Sequence, residues 1–214
     1  IVEQENRSMI VNMLYLRKSL ERARERCRKL EEDAVELTEK SERDPLTGLA
    51  NRYRLTNDSE KIVEQCFAEH KPLSFEILDI DYFKQYNDRY GHQAGDDCVR
   101  AIVALIRQME SDQIFCARYG GDEFVIIYSG MSAEEVCERA EKLRQDVMAL
   151  QIEQRYAEGS FGVTISQGIC HDIPSNGNKN WDFLHVADQA LYRVKRRGRN
   201  RLCMTDIHGR EIEV

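Results

Sequence analysis

Apolar or small residues recur at alternating steps of four and three near the start of the chain: Met9, Met13, Leu16, Leu20, Ala23, Cys27, Leu30, Ala34, Leu37 and Ser41. Sustained over more than four heptads, this is the seam of a coiled coil. The positions between are crowded with Glu, Arg and Lys, and no Gly or Pro interrupts before Pro45, so one continuous helix is predicted. The strict seam is narrower than the face a helix needs to lie on a globular body. A parallel two-stranded coiled coil with a second copy of the chain follows.

Asp44-Pro45 ends that pattern, and Leu46-Thr47-Gly48-Leu49 makes a compact turn, which puts a hinge near residue 43. Beyond it SEKIVEQCFAEH reads as a helix, LSFEILDI as a strand, DDCVRAIVALIRQME as a helix, and IFCAR with EFVIIYS as a hairpin. Ser132 and Glu135 have the spacing of a capping box ahead of Val136, Ala140, Leu143, Val147 and Leu150. VTISQGIC is a further strand, and residues 171–180 a polar loop. A last helix spans about 182–197 with Leu184, Ala187, Leu191 and Val194 inward and Gly198 as its stop. Residues 201–205 could add a strand. Irregular alternation with a hairpin predicts an α/β protein of the α+β kind, a mostly antiparallel central sheet flanked by helices, not a doubly wound parallel one. The expected organisation is a coiled-coil helix over 1–43, a catalytic domain over 44–208 and a tail over 209–214.

Composition narrows the possibilities. The chain has 214 residues, enough for one good-sized core and an appendage. Its net charge of −7 argues against a general nucleic-acid binder, so any phosphate site is local. Cysteines at 27, 66, 98, 116, 137, 170 and 203 form no Cys-x-x-Cys pair and lie mostly in apolar runs, as thiols of a reducing cytoplasm do. No apolar stretch approaches the roughly 18 residues of a membrane span. The chain opens at Ile1 directly in helical sequence, which predicts an upstream segment; a membrane anchor would belong there.

The chemistry concentrates in two places. The strand LSFEILDI ends on Asp79, and Asp81 follows on the same side of a period-two pattern. In ARYGGDEFVIIY, Gly120 and Gly121 read as a hairpin turn followed by Asp122 and Glu123. Taken alone this is a tight turn with solvated carboxylates. Were the hairpin to lie beside the first strand, three or four carboxylates would converge, a cluster of hard oxygens suited to Mg²⁺ held together with substrate phosphates. Separately, Arg193, Lys195, Arg196, Arg197, Arg199 and Arg201 crowd the end of the last helix. Any one of them complements the helix dipole, but six within nine positions of an acidic chain favour a polyphosphate.

DPLTGLANR, LDIDYFKQYNDRYGHQAGD, ARYGGDEFVII, VTISQGI and ADQALYRVKRRGRNR, in this order, make residues 44–203 resemble the GGDEF domain of bacterial diguanylate cyclases, which condense two GTP into cyclic di-GMP. The resemblance implies a sheet wrapped by helices, related to the palm of nucleotidyl cyclases and polymerases. It assigns Mg²⁺, with Mn²⁺ as a substitute, to the Asp79 and Asp122 carboxylates and the Ile80 carbonyl. Glu123 becomes the group that activates the ribose 3′-hydroxyl. The amides of Tyr82, Phe83 and Lys84 cradle the terminal phosphates, with Lys195 and Arg199 as phosphate-binding side chains. Asn87 and Asp96 read guanine, with His92 beside the base; on residue type alone these are a turn Asn, a helix N-cap Asp and a structural His.

Many members carry an Arg-x-x-Asp product-inhibition site where this chain has Ser111-Asp112-Gln113-Ile114, so high-affinity feedback is not expected. The resemblance implies a GTP-specific enzyme working as a coiled-coil-linked homodimer, cytoplasmic, with an upstream sensor. The alternative is a catalytically silent module that binds GTP.

Overall fold

The computed structural model describes residues 17–22, 24–26, 28–29, 42–153 and 162–213. Contacts divide the chain into two units, Ile1–Glu42 and Arg43–Val214. In the first, 17–22, 24–26 and 28–29 are helical, with Arg17–Glu21 and Arg28–Glu25 ion pairs one turn apart; exposed as they are, such pairs contribute a few tenths of a kcal/mol each. Leu20 is the described member of the heptad seam and is exposed. The other seam positions, and the dimer they predict, lie outside the described residues.

The second unit is built on a five-stranded sheet in the order β2-β3-β1-β4-β5. Its strands are β1 (Leu73–Ile80), β2 (Ile114–Arg118), β3 (Glu123–Ser129), β4 (Ile165–Asp172) and β5 (Leu202–Thr205). β1 pairs antiparallel with β3 and β4, and β2 with β3; β5 alone runs parallel, beside β4. The helices are α1 (Arg52–Ala68), α2 (Phe83–Tyr90), α3 (His92–Arg107), α4 (Ala133–Ala149) and α5 (Asn180–Arg196). Every residue of β1 is buried, because helices cover both faces. On one face Phe75, Ile77, Val125 and Ile127 meet α1 and α5 through Leu55, Val63, Phe183 and Leu191. On the other Leu78, Ile80, Phe124 and Ile126 meet Val99, Ile102 and Ile106 of α3 and Val136, Ala140 and Leu143 of α4. The period-two alternation of β1 and β3 thus feeds two cores.

Two local devices set what the site needs. The capping box of α4 is formed: the Ser132 hydroxyl accepts from the Glu135 N–H at 3.3 Å, and the Glu135 carboxylate accepts from the Ser132 N–H at 2.8 Å. At Gly168 of β4 an added Cβ would stand 2.2 Å from the Leu191 backbone nitrogen. α5 therefore rests directly on the strand, and this close approach carries its last turn to the sheet end where β1 finishes.

α2 was not foreseen. FKQYNDRY buries only Tyr86, so it lacks an apolar period. The helix expected to open at Asp96 opens instead at His92, because Gly91, at φ 85°, ends α2 and begins α3 at once. Asp96 is thus not an N-cap; it lies inside α3. Of the stretch 209–214, expected as a tail, residues 209–213 are described and turn back toward β5: the Ile212 N–H donates to the Met204 carbonyl at 2.9 Å, and Arg197 pairs with Glu211 at 2.8 Å. Among the described residues no helix is long and apolar enough to cross a membrane.

Candidate active site

The acids meet where β1 ends and β3 begins. The register sets Asp79 opposite Glu123, and the Ile80 N–H donates to the Asp122 carbonyl at 3.2 Å. Asp79 is buried. That burial, with the nearby charges of Asp122 and Glu123 acting in the same sense, pushes its carboxyl up to about 6 against the opposing pull of Lys195. Lys195, in the last turn of α5, places Nζ 2.8 Å from Asp79 Oδ2. The lysine expected at a phosphate therefore stands on the metal-candidate carboxylate.

Asp81 does not join them. It is fully buried, and its carboxylate accepts from the Thr164 and Ser166 hydroxyls, both at 2.7 Å, and from the Asn200 N–H at 3.1 Å. Three donors already satisfy it, so the expected convergence shrinks to Asp79, Asp122 and Glu123. Among the described residues no group of three His, Cys, Asp or Glu is disposed to hold a metal by itself. What remains is a partial shell of hard oxygens with an ammonium already compensating it. That donor set fits a divalent cation which takes its other ligands from water and phosphate.

The connection from β2 to β3 is not a left-handed glycine turn, since neither Gly120 nor Gly121 has positive φ. It closes through the Glu123 carbonyl, which accepts from the Tyr119 and Gly120 N–H groups at 2.9 and 3.1 Å. Gly120 leaves room for the Glu123 carboxylate, whose Oε2 lies 2.9 Å from where a Cβ would be, while a Cβ at Gly121 would meet only open space. Arg118 holds this loop: its guanidinium donates to the Gly120 carbonyl at 3.1 Å, the Gly121 carbonyl at 2.6 Å and Asp44 Oδ1 at 2.9 Å. Asp44 also accepts from the Thr47 N–H and hydroxyl. The sequence reading gave Arg118 and Asp44 no role. The Asp-x-x-Thr spacing, typical of a side-chain-closed turn, was the available signal for one of them.

Beside the acids, Tyr82 takes φ 57° and starts α2 without a side-chain cap. The first N–H groups of a helix have no partner within it, and in α2 these begin at Phe83 and Lys84, next to the acids in the chain. Arg199, itself at φ 63°, lies 4.4 Å over the Tyr82 ring and donates to its hydroxyl at 3.2 Å. The other cations of the basic run make their contacts elsewhere: Arg193 with the Gly209 carbonyl, its Nε and Nη2 buried without a hydrogen-bond partner, Arg197 with Glu211, Arg201 with the Arg199 carbonyl, and Arg196 against the Tyr192 ring. Of the six, Lys195 and Arg199 are the two in contact with Asp79 and Tyr82.

At the corner between α2 and α3 the Asn87 side-chain oxygen is buried without a partner. It sits so close to Gly95 that a Cβ there would be 1.8 Å away, which brings Asn87 next to the turn carrying Asp96. His92 is exposed at the start of α3. A cleft of about 530 Å³ opens elsewhere, between α1 and the turn at 111–114, lined by Arg54, Lys61 and Gln113 among others. None of Asp79, Asp122 and Glu123 borders it, and Ile114 there is core.

Residues 41–201 match the family described as diguanylate cyclase, GGDEF domain. The chain is 36% identical over 186 residues to diguanylate cyclase DgcP of Pseudomonas aeruginosa, covering 83% of this chain and 27% of that protein. It is 35% identical over 187 residues to a diguanylate cyclase of Vibrio cholerae, covering 80% of this chain and 53% of that one. It therefore spans about half or less of these relatives. Among solved structures, the coiled coil and GGDEF domain of DgcB from Caulobacter crescentus, in complex with c-di-GMP, matches with a TM-score of 0.79 at 29% identity, over 89% of this chain and 99% of that one. With the acids at the β1–β3 end and the fold that carries them, these matches place the chain in the GGDEF-domain family of diguanylate cyclases.

Proposed function

We propose that the chain is the output part of a longer sensor protein and condenses two GTP into cyclic di-GMP, releasing two pyrophosphates. The observation that carries the proposal is the meeting of Asp79, Asp122, Glu123 and Lys195 at one sheet end, beside the amide end of α2. In this reading each domain holds one GTP. Asn87, through its unpartnered oxygen, and Asp96 meet the guanine edge, with His92 beside the base. The amides of Tyr82, Phe83 and Lys84, with Lys195 and Arg199, neutralise the β- and γ-phosphates. Asp79, Asp122 and the Ile80 carbonyl would hold Mg²⁺, or Mn²⁺ in its place, which would supply Lewis-acid charge withdrawal from the triphosphate. Glu123 accepts the proton of the ribose 3′-hydroxyl. The 3′-oxygen attacks the α-phosphorus of the GTP on a second domain, and the bond to the bridging oxygen breaks to release pyrophosphate.

Two domains must face each other for both bonds to form. A coiled coil over 1–43 that dimerises the chain makes this meeting intramolecular and raises the effective concentration. The test is incubation with GTP and MgCl₂, with products identified by mass. Cyclic di-GMP from the wild type, and none from a folded Asp122→Asn, is expected. GTP binding without product would instead identify a silent nucleotide-binding module.

A further inference from the structure

Asp81 has no part in the chemistry proposed above, yet it is the most completely satisfied carboxylate at that end of the sheet. It lies between residues with roles on both sides: Asp79 and Ile80 precede it, and Tyr82 to Lys84 follow. Its N–H donates to the Thr164 carbonyl at 2.9 Å, and its side chain is fully buried. One carboxylate oxygen takes the Ser166 hydroxyl, the other the Thr164 hydroxyl and the Asn200 N–H. The Asn200 N–H is shared with the Ser166 oxygen at 3.2 Å. These bonds tie the end of β1 to the start of β4 and to the loop after α5.

That loop needs holding. Gly198, Arg199 and Asn200 have φ of 107°, 63° and 48° in succession; Gly and Asn tolerate this region, while the Arg199 side chain disfavours it. Asn200 is pinned from below by Asp81 and from the side by Arg144, which donates to its side-chain oxygen at 2.7 Å. The pinned backbone aims the Arg199 guanidinium onto the Tyr82 ring, and Tyr82 is the residue next to Asp81. One buried carboxylate therefore fixes both halves of the phosphate cradle: the amides at 82–84 through its own backbone, and Arg199 through Asn200.

We propose that Asp81 is a positioning residue that sets the distance between these two halves and, through Arg199, the affinity for the triphosphate. The inference rests on the reading of Arg199 as a phosphate ligand. An Asn at 81 keeps the shape but replaces one acceptor oxygen by an NH₂ donor and removes the charge, so one of the hydroxyls must turn to accept and the Asn200 N–H loses a charge-assisted hydrogen bond.

The test is a double-mutant cycle read by calorimetric titration of a non-hydrolysable α,β-methylene GTP analogue in the presence of Mg²⁺, with thermal unfolding recorded for each variant. Asp81→Asn in the wild-type background is expected to weaken binding about tenfold, the scale of one charge-assisted hydrogen bond. In an Arg199→Ala background it should weaken binding by less than about twofold, because the two act in series. The same weakening in both backgrounds, or none in the wild type, overturns the inference and leaves Asp81 a fold residue. If Arg199→Ala itself leaves affinity unchanged, the phosphate reading falls and this inference with it. Should Asp81→Asn not fold, Ser166→Ala, which removes one donor to the carboxylate and the second acceptor of the Asn200 N–H, is measured in the same two backgrounds against the same criterion.

Discussion

Replacing Gly95 by alanine separates recognition from stability. Gly95 is buried in the second turn of α3, and an added methyl would stand 1.8 Å from the Asn87 side-chain oxygen, 2.9 Å from its Cγ and 3.3 Å from the tip of the Phe83 ring. The backbone there is ordinary helix, so alanine gains about 1 kcal/mol of helix propensity. Against this stands the rotation of Asn87, about 0.5–1.5 kcal/mol for a side chain driven from its rotamer, and a few tenths of an ångström of give at Phe83. The two nearly cancel, and the melting temperature should move by only a few degrees. Recognition should not survive as well, because the displaced oxygen is the one the fold leaves unpartnered. Loss of one amide-to-base interaction in a site built for it corresponds to about 10- to 100-fold in GTP affinity, with a smaller effect on ATP. Titration of both nucleotides with Mg²⁺, beside calorimetric unfolding, measures the two quantities. Asn87→Ala should show the same loss, and the double variant no more than either single one. Unchanged GTP affinity and unchanged preference over ATP in Gly95→Ala would refute the assignment of Asn87 to the base.

The buried Glu76 gives a pH prediction: its carboxylate accepts from Tyr128 at 2.6 Å and Gln167 at 2.7 Å, yet burial pushes it above the ordinary 4.5. A raised acid contributes stability that is complete below the unfolded value and is lost as pH rises toward the folded one. Glu76→Gln should therefore gain on the wild type above pH 4.5, by up to about 1.4 kcal/mol per unit, and converge with it below; parallel curves in urea titrations across pH would contradict this. Cyclic di-GMP should inhibit weakly, since Ser111 and core Ile114 stand where the resemblance leads one to expect the Arg and Asp of a product site; progress curves that stall at low product would show a site elsewhere. Deleting residues 1–40 should lower turnover at dilute protein, and single insertions near Lys40 should alter it in a phase-dependent way. A monomeric deletion product with full activity at nanomolar concentration would reduce the helix to a tether.

Much of the fold was legible because it rests on local rules. LSFEILDI and EFVIIYS are apolar runs too short for helices and are buried on both faces, so they read as strands, while their pairing with each other comes only from the structure. The capping box of Ser132 and Glu135 was visible as a spacing. The elements that escaped obey tertiary constraints. α2 has one buried residue and is held between the Tyr82 turn and Gly91, so no pattern announces it. Asp81 shares the spacing of Asp79, and nothing in the strand itself says that one will face Lys195 while the other is consumed by Thr164, Ser166 and Asn200, residues at least 83 positions away. The contacts of the basic run were hidden for the same reason: only the docking of the C-terminal stretch shows Arg193 donating to the Gly209 carbonyl and Arg197 paired with Glu211.

The failures of local reasoning collect at one end of the sheet. Tyr82, Arg199 and Asn200 are non-glycine residues at φ 57°, 63° and 48°; Asn tolerates this region, but for Tyr82 and Arg199 it is disfavoured by about 1 kcal/mol or more. They persist because the surroundings over-determine them: Arg199 stacks on Tyr82, Asn200 is held by Asp81 and Arg144, and Asp79 keeps Lys195 at 2.8 Å. A glycine in each place would relieve the strain and surrender the side chain. The chain keeps a phenol and a guanidinium in strained positions beside an amide end and a carboxylate pushed up to about 6, and offsets them with a buried carboxylate and two hydroxyls that touch nothing reactive. Strain that stable packing alone would remove is retained at the end of the sheet where, under the proposed function, a triphosphate would be gripped from two sides at once.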